Sequence, residues 1–164
     1  MITFLDNIPL PKGIKHTAFV RYFGLTKVPL IWFIRPTVLE LGDEVTKIKV
    51  PFLRRNKNHL GSLYFGVLCA AADIAGGLAA MKHIMESGKN ISLAFASFKA
   101  DFHKRAVGDV VFVNTDGNKI KDLVNKAISS GEREQLCVGV KAYTEQMGED
   151  PVASFELLLS LKLK

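Results

Sequence analysis

Nineteen mostly apolar residues, Leu63 to Met81, carry a single charge, Asp73, and no other stretch of the 164-residue chain constrains the fold as strongly. The run holds six alanines and three glycines, so it forms a helix that other backbone can approach closely. An ionised aspartate in such surroundings is costly to bury without a partner, so the fold exposes it at a cleft, pairs it, or shifts its pKa. A bilayer span is excluded as an expectation. The run is short of large aliphatic side chains, and a central Asp costs roughly 2.5–3.5 kcal/mol on insertion scales.

The rest of the composition narrows the class. With 48% hydrophobic and 23% charged residues the chain can bury a sizeable core, and no linker or low-complexity segment divides it, so one domain over 1–164 is expected. The start, MITFLDNIPLPKGIKH, lacks the basic-then-apolar pattern of a secretion signal, which makes the cytoplasm the expected location. Cys69 and Cys137 sit among apolar residues, where free buried thiols are common, and do not form a disulfide framework. His16, His59, His83 and His103 are scattered without metal-ligand spacing, so no metal is expected. A net charge of +6 favours an anionic partner. The basic residues gather in Arg54, Arg55, Lys57, in Lys99, Lys104, Arg105, and in Lys119, Lys121, Lys126. No basic helix with interleaved aromatics occurs, so a small polyanion suits these groups better than nucleic acid.

Residues 1–30 read as helical or irregular, with a short helix over Ile14–Phe23. IWFIRPTVLEL (31–41) reads as a strand whose Pro36 marks an edge or a bulge, and Gly42-Asp43 turns it into a second strand, EVTKIKVPFL, that alternates apolar and polar residues. Gly61-Ser62 then opens the long helix, with the Ser62 hydroxyl as cap, and Ser87-Gly88 closes it. Four further strands follow: ISLAFASFKADFH, DVVFVNT, EQLCVGVKAYTE and VASFELLLSLKLK. A helix over Lys119–Ser130 interrupts them, and a turn is expected at Met147–Pro151. The predicted class is α+β: an antiparallel six-stranded sheet wrapped around one long central helix, the hotdog fold, with a short N-terminal helix and a helical insert between strands 4 and 5.

The segment N-x-x-G-S-L-Y-F-G, Asn58 to Gly66, followed by an apolar stretch reaching Asp73, resembles the central segment of hotdog-fold acyl-CoA thioesterases of the phenylacetate-pathway type. That group has Asn, then G-[ST]-L-H-G-G at the helix start, then an acidic residue at the same distance from the Asn as here. The resemblance implies hydrolysis of an acyl thioester, with Asp73 as base or nucleophile and Asn58 positioning the water or the carboxylate. A main-chain N–H near Phe65 and Gly66 would polarise the carbonyl. Tyr64 stands in place of the family's His and Phe65 in place of its first Gly, so Tyr64 can act as a hydroxyl donor while Phe65 reshapes the pocket. Ser92 and Ser97 are candidate polar helpers, and Lys104 and Arg105 are candidates for the phosphates of coenzyme A, which enters as part of the substrate and not as a cofactor.

Spacing adds a partner. From a helix start near Ser62, Asp73 lies eleven residues on, or ~16 Å along the axis. A single helix cannot bring its start and its Asp to one carbonyl, so the site is expected to form across a two-fold homodimer, alone or within a tetramer. The missing His and Gly leave open a second reading, a protein that binds an acyl ligand without turnover. Dehydration or hydration of a hydroxyacyl thioester ranks last, because it needs a catalytic His at the helix start.

Overall fold

The computed structural model describes residues 11–144 and 150–164. Residues 1–10 and most of the turn expected at Met147–Pro151 lie outside the described residues. The chain begins with α1 (Lys12–Thr26) and α2 (Pro29–Ile34), continues through β1 (Thr37–Leu41) and β2 (Thr46–Val50), and reaches the long helix α3 (Phe65–Ser87). Then come β3 (Ile91–Phe102), β4 (Val110–Asn114), α4 (Gly117–Ser130), β5 (Glu134–Thr144) and β6 (Ala153–Leu163). The strands form one six-stranded sheet in the order β1-β2-β4-β5-β6-β3, with every neighbouring pair antiparallel.

Alternation builds this sheet. Ile48 and Val50 of β2, Val110 and Phe112 of β4, and Phe155, Leu157 and Leu159 of β6 all turn inward and are buried. The sheet closes over α3, whose Ala71, Ala72, Ala75, Ala79 and Ala80 are fully buried because small side chains let the strands lie close to the helix axis. At Gly76 an added Cβ would come within 3.5 Å of Leu157 and Val138. Phe65–Ser87 is long and apolar enough to cross a membrane by length and composition, but here its apolar faces pack on the sheet and the other helices. Amphipathic α4 buries Ile120, Leu123, Val124 and Ala127. A sheet wrapped around one central helix is the hotdog fold.

Three expectations need correction. The strand expected over 31–41 is a strand only from Thr37; Pro29–Ile34 is helical. Pro29 presets the first helical turn, Ile31 and Ile34 point inward at helical spacing, and Arg35 in the left-handed region followed by Pro36 ends the helix. The edge or bulge inferred from Pro36 is present, because β1 is an edge strand and carries a bulge at Leu39. The long helix starts at Phe65, with Tyr64 as N-cap, and Ser62 caps nothing; its hydroxyl instead bonds Asn58. Finally, Cys137 is exposed and Cys69 only half-buried.

Candidate active site

Asp73 lies in the third turn of α3, on a face shared with Ile74, Gly77, Leu78 and Met81, as spacings of one, four, five and eight residues require. This face lines a cavity of about 240 Å³, closed on the other sides by Phe19, Val20 and Phe23 of α1, Val28, Ile31 of α2, and Leu93–Phe95 of β3. The volume exceeds the roughly 150 Å³ that admits a benzene ring. It has room for a small apolar group. Asp73 is the one carboxylate on this apolar wall. Burial pushes its pKa above the ordinary aspartate value, and no hydrogen bond or cation among the described residues opposes the shift. Of the three outcomes its sequence setting allows, the fold takes two: Asp73 borders a cleft, and its proton affinity is raised.

The second cluster surrounds the start of α3. The strand-like step into the helix is fixed by the Leu63 N–H on the Ala106 carbonyl (2.8 Å) and by the Tyr64 N–H on the Asn56 carbonyl (2.9 Å). Tyr64 caps the helix only through its carbonyl, which accepts from Val67 and Leu68. The N–H groups of Phe65 and Gly66 have no partner among the described residues, as the first turn of a helix leaves them. They point outward at the positive end of the helix dipole. The Tyr64 ring folds over Gly66, where an added Cβ would lie 2.7 Å from it. Glycine at this position gives the ring its seat. The exposed Phe65 ring packs at a tilt against Tyr64 and edge-to-face against Phe102, with centroids 4.7 and 6.2 Å apart.

Asn58 is turned inward on its own loop. Its Oδ1 accepts from the Leu60 N–H (3.0 Å), the Ser62 N–H (3.2 Å) and the Ser62 hydroxyl (3.2 Å), and Gly61 supplies the positive φ that closes the turn. Only its amide NH₂ remains to meet a ligand. Ser92 and Ser97 flank the Leu93–Phe95 segment of β3 without lining the cavity. Lys104 pairs with Asp150 at 2.9 Å, and the Arg105 guanidinium donates to the Leu60 carbonyl, which sets the Arg105 charge beside the loop that leads into α3. Leu63, Val67 and Leu68 are core, as expected, and His59 is exposed.

Within one chain the two halves stay apart. Asp73 is eight residues beyond Phe65, ~12 Å along the axis, which shortens the span expected from Ser62 without closing it. Sequence reading missed two contributors. Fully buried Asn56 donates its amide to the carbonyls of Ile34 (3.1 Å) and Pro51 (2.9 Å), tying the helix start to α2 and β2. Phe19, Val20 and Phe23 form the cavity roof; their spacing of one and four residues marks a shared helix face but not what that face covers.

The fold is that of the hotdog proteins, with Asp73 carried inside the apolar part of the central helix. Residues 16–157 match the family described as Domain of unknown function (DUF4442), and the chain belongs to that family. Among solved structures it is similar to a Pseudomonas aeruginosa protein of unknown function described as a probable thioesterase, at 22% identity and TM-score 0.73, covering 96% of this chain and 99% of that one. A Chlorobaculum tepidum protein of unknown function aligns at 12% identity and TM-score 0.79, covering 93% and 97%. A Haemophilus influenzae thioesterase aligns at 14% identity and TM-score 0.63, covering 88% of each chain. These likenesses show the fold. No curated protein matches.

Proposed function

We propose that the protein hydrolyses an acyl thioester, with coenzyme A the expected thiol carrier. The observation that carries this reading is the unpaired Asp73 carboxylate on the wall of an apolar cavity, its proton affinity raised by burial. A carboxylate with a raised pKa is a better proton acceptor near neutral pH than an ordinary aspartate. As base, Asp73 takes a proton from water while the water oxygen bonds to the thioester carbon; the C–S bond then breaks and the thiolate leaves with a proton. As nucleophile, Asp73 bonds to that carbon itself, the C–S bond breaks and the thiolate leaves with a proton, and water then cleaves the resulting anhydride to free acid and Asp73 carboxylate. In both forms the free N–H groups of Phe65 and Gly66 suit the developing oxyanion.

The ~12 Å between Phe65 and Asp73 requires the donor and the carboxylate to come from two copies of α3. The free edge of β3 supports such a dimer. It is a twelve-residue strand paired only with β6, and it exposes Phe98 and Phe102. Lys104 and Arg105 suit the phosphates of coenzyme A.

The test is thiol release from a panel of acyl-CoAs by the wild type, Asp73→Asn and Asn58→Ala. Turnover that disappears in Asp73→Asn supports the assignment, and turnover undiminished in it removes the base. The Phe65 ring in front of the helix start, edge-to-face with Phe102, favours the second reading, an acyl-ligand binder. Tight binding without turnover in the wild type would establish it.

A further inference from the structure

The outer face of α1 and α2 is apolar where a helical hairpin on a protein surface is normally polar. Ile31 and Ile34 turn inward, whereas Leu30, Trp32 and Phe33 on the same short helix turn out, and α1 adds Tyr22 and Leu25. Trp32 is 47% exposed and Leu25 56%. This conformation is built in. Gly24 lets the two helices touch, since a Cβ there would lie 2.5 Å from the Trp32 backbone nitrogen.

The charge around this face has one sign. Between Asp6 and Glu40 the sequence contains Lys12, Lys15, Arg21, Lys27 and Arg35 and no carboxylate. Arg35, at the end of α2, opens with Arg54, Arg55 and Leu53 onto a shallow surface pocket. Arg55 reaches over the Phe33 ring at 5.6 Å and donates to the Phe33 carbonyl, which joins the arginine group to the aromatic face. Arg21 connects the two from the other side, because it lines the groove with Tyr22, Leu25 and Trp32 and lies close enough to Arg35 to feel its charge. On the adjoining strand and loop, Glu40 pairs with Lys47, and Asp109 with Lys49 and the Phe52 N–H.

We propose that the α1–α2 face docks on an anionic phospholipid surface, with Leu30, Trp32 and Phe33 entering the interface and Arg35, Arg54 and Arg55 meeting the lipid phosphates. Exposed Trp, Tyr and Phe beside arginines that meet no carboxylate among the described residues suit the headgroup boundary, where apolar bodies are buried and cations stay at the phosphates. A protein partner of the same shape would have to supply acids for the whole basic rim. The docked helices also roof the Asp73 cavity, and Val28 is both exposed outside and part of the cavity wall. Docking therefore brings that wall to the lipid. It does not depend on thioester hydrolysis, so binding and turnover fail separately.

Trp32 is the only tryptophan, so its emission reports this face directly. With vesicles of phosphatidylglycerol and phosphatidylcholine in equal parts, the emission moves to shorter wavelength and is quenched by brominated acyl chains; phosphatidylcholine alone does neither. The shift is lost at high salt, and Arg54→Gln/Arg55→Gln binds roughly thirtyfold more weakly at moderate salt. Leu30→Ser/Phe33→Ser, confined to exposed positions, abolishes the quenching while the thermal transition stays in place. An emission spectrum unmoved by anionic vesicles, or moved equally by neutral ones, overturns the proposal. So does a shift that follows protein concentration without lipid, which assigns the face to a second copy. So too does an arginine variant that binds vesicles normally and instead raises KM for a soluble acyl-CoA.

Discussion

The Phe95 ring of β3 lies 3.4 Å from the point where a Cβ on Gly77 would sit, one helical turn beyond Asp73 on the same wall of the cavity. That distance is ordinary contact, so a methyl group fits there and takes volume from the cavity. Gly77→Ala is expected to stabilise the protein by up to about 1 kcal/mol through helix propensity, while raising KM for the longer acyl groups of a panel. Gly24→Ala has the opposite sign. Its Cβ would press on the Trp32 backbone at 2.5 Å, and overpacking of this kind costs about 1–3 kcal/mol. Denaturant melts of the two variants check both signs.

Asp73 stores a conflict between stability and chemistry. Its pKa in the folded protein lies above its unfolded value because burial penalises the anion. The folded state thus holds the extra proton across that interval, and stability falls as pH rises through it. Asp73→Asn removes the ionisation, so the variant should melt higher than the wild type at neutral pH, by about 2–4 °C if the gain is ~1 kcal/mol. The difference should shrink below the ordinary aspartate pKa, where both side chains are neutral. Thiol release should be lost at every pH. In the wild type, the acid limb of kcat/KM should sit above the usual aspartate range.

Asn56 shows how a site can depend on a residue outside it. Asn56→Ala strands the Ile34 carbonyl in the interior and leaves the Pro51 carbonyl only the Leu53 N–H, at an expected cost of about 1–3 kcal/mol. The same backbone step carries the Tyr64 N–H, so the first turn of α3 should loosen with it. Hydrogen exchange at Phe65 and Gly66 should then quicken more than at Ala71 or Ala75, deep in the same helix. Uniform quickening would mean only global destabilisation.

How much of this was legible depended on whether the signal was local. β2 and β4 announced themselves by alternation, α4 by its apolar stripe, and Asp73 by being the one charge in an apolar run. Pro29–Ile34 did not, because a six-residue apolar segment reads equally as strand or helix until its neighbours select the inward pair Ile31 and Ile34. Ser62 looked like a cap because Ser before a helix usually is one. Asn58 claims its hydroxyl instead and delays the helix to Phe65. The cavity roof was invisible for a different reason. Nothing in Phe19, Val20 and Phe23 states that α1 lies across α3; only the closed sheet determines that.

The free edge of β3 yields the last prediction. If the helix start of one copy serves the Asp73 of another, breaking the pairing must abolish turnover while leaving each fold intact. Phe98 is exposed on that edge strand and touches only Phe155 among the rings, with centroids 5.9 Å apart. Phe98→Lys puts a charge from each copy on the shared edge in place of an apolar ring, and inward or edge lysines disfavour strand-to-strand association. The variant should elute as a monomer, keep a cooperative melt, and release no thiol from acyl-CoAs that the wild type cleaves. Sedimentation and the thiol assay on one sample decide it, since a monomer retaining full activity would require both groups to act from one chain across ~12 Å.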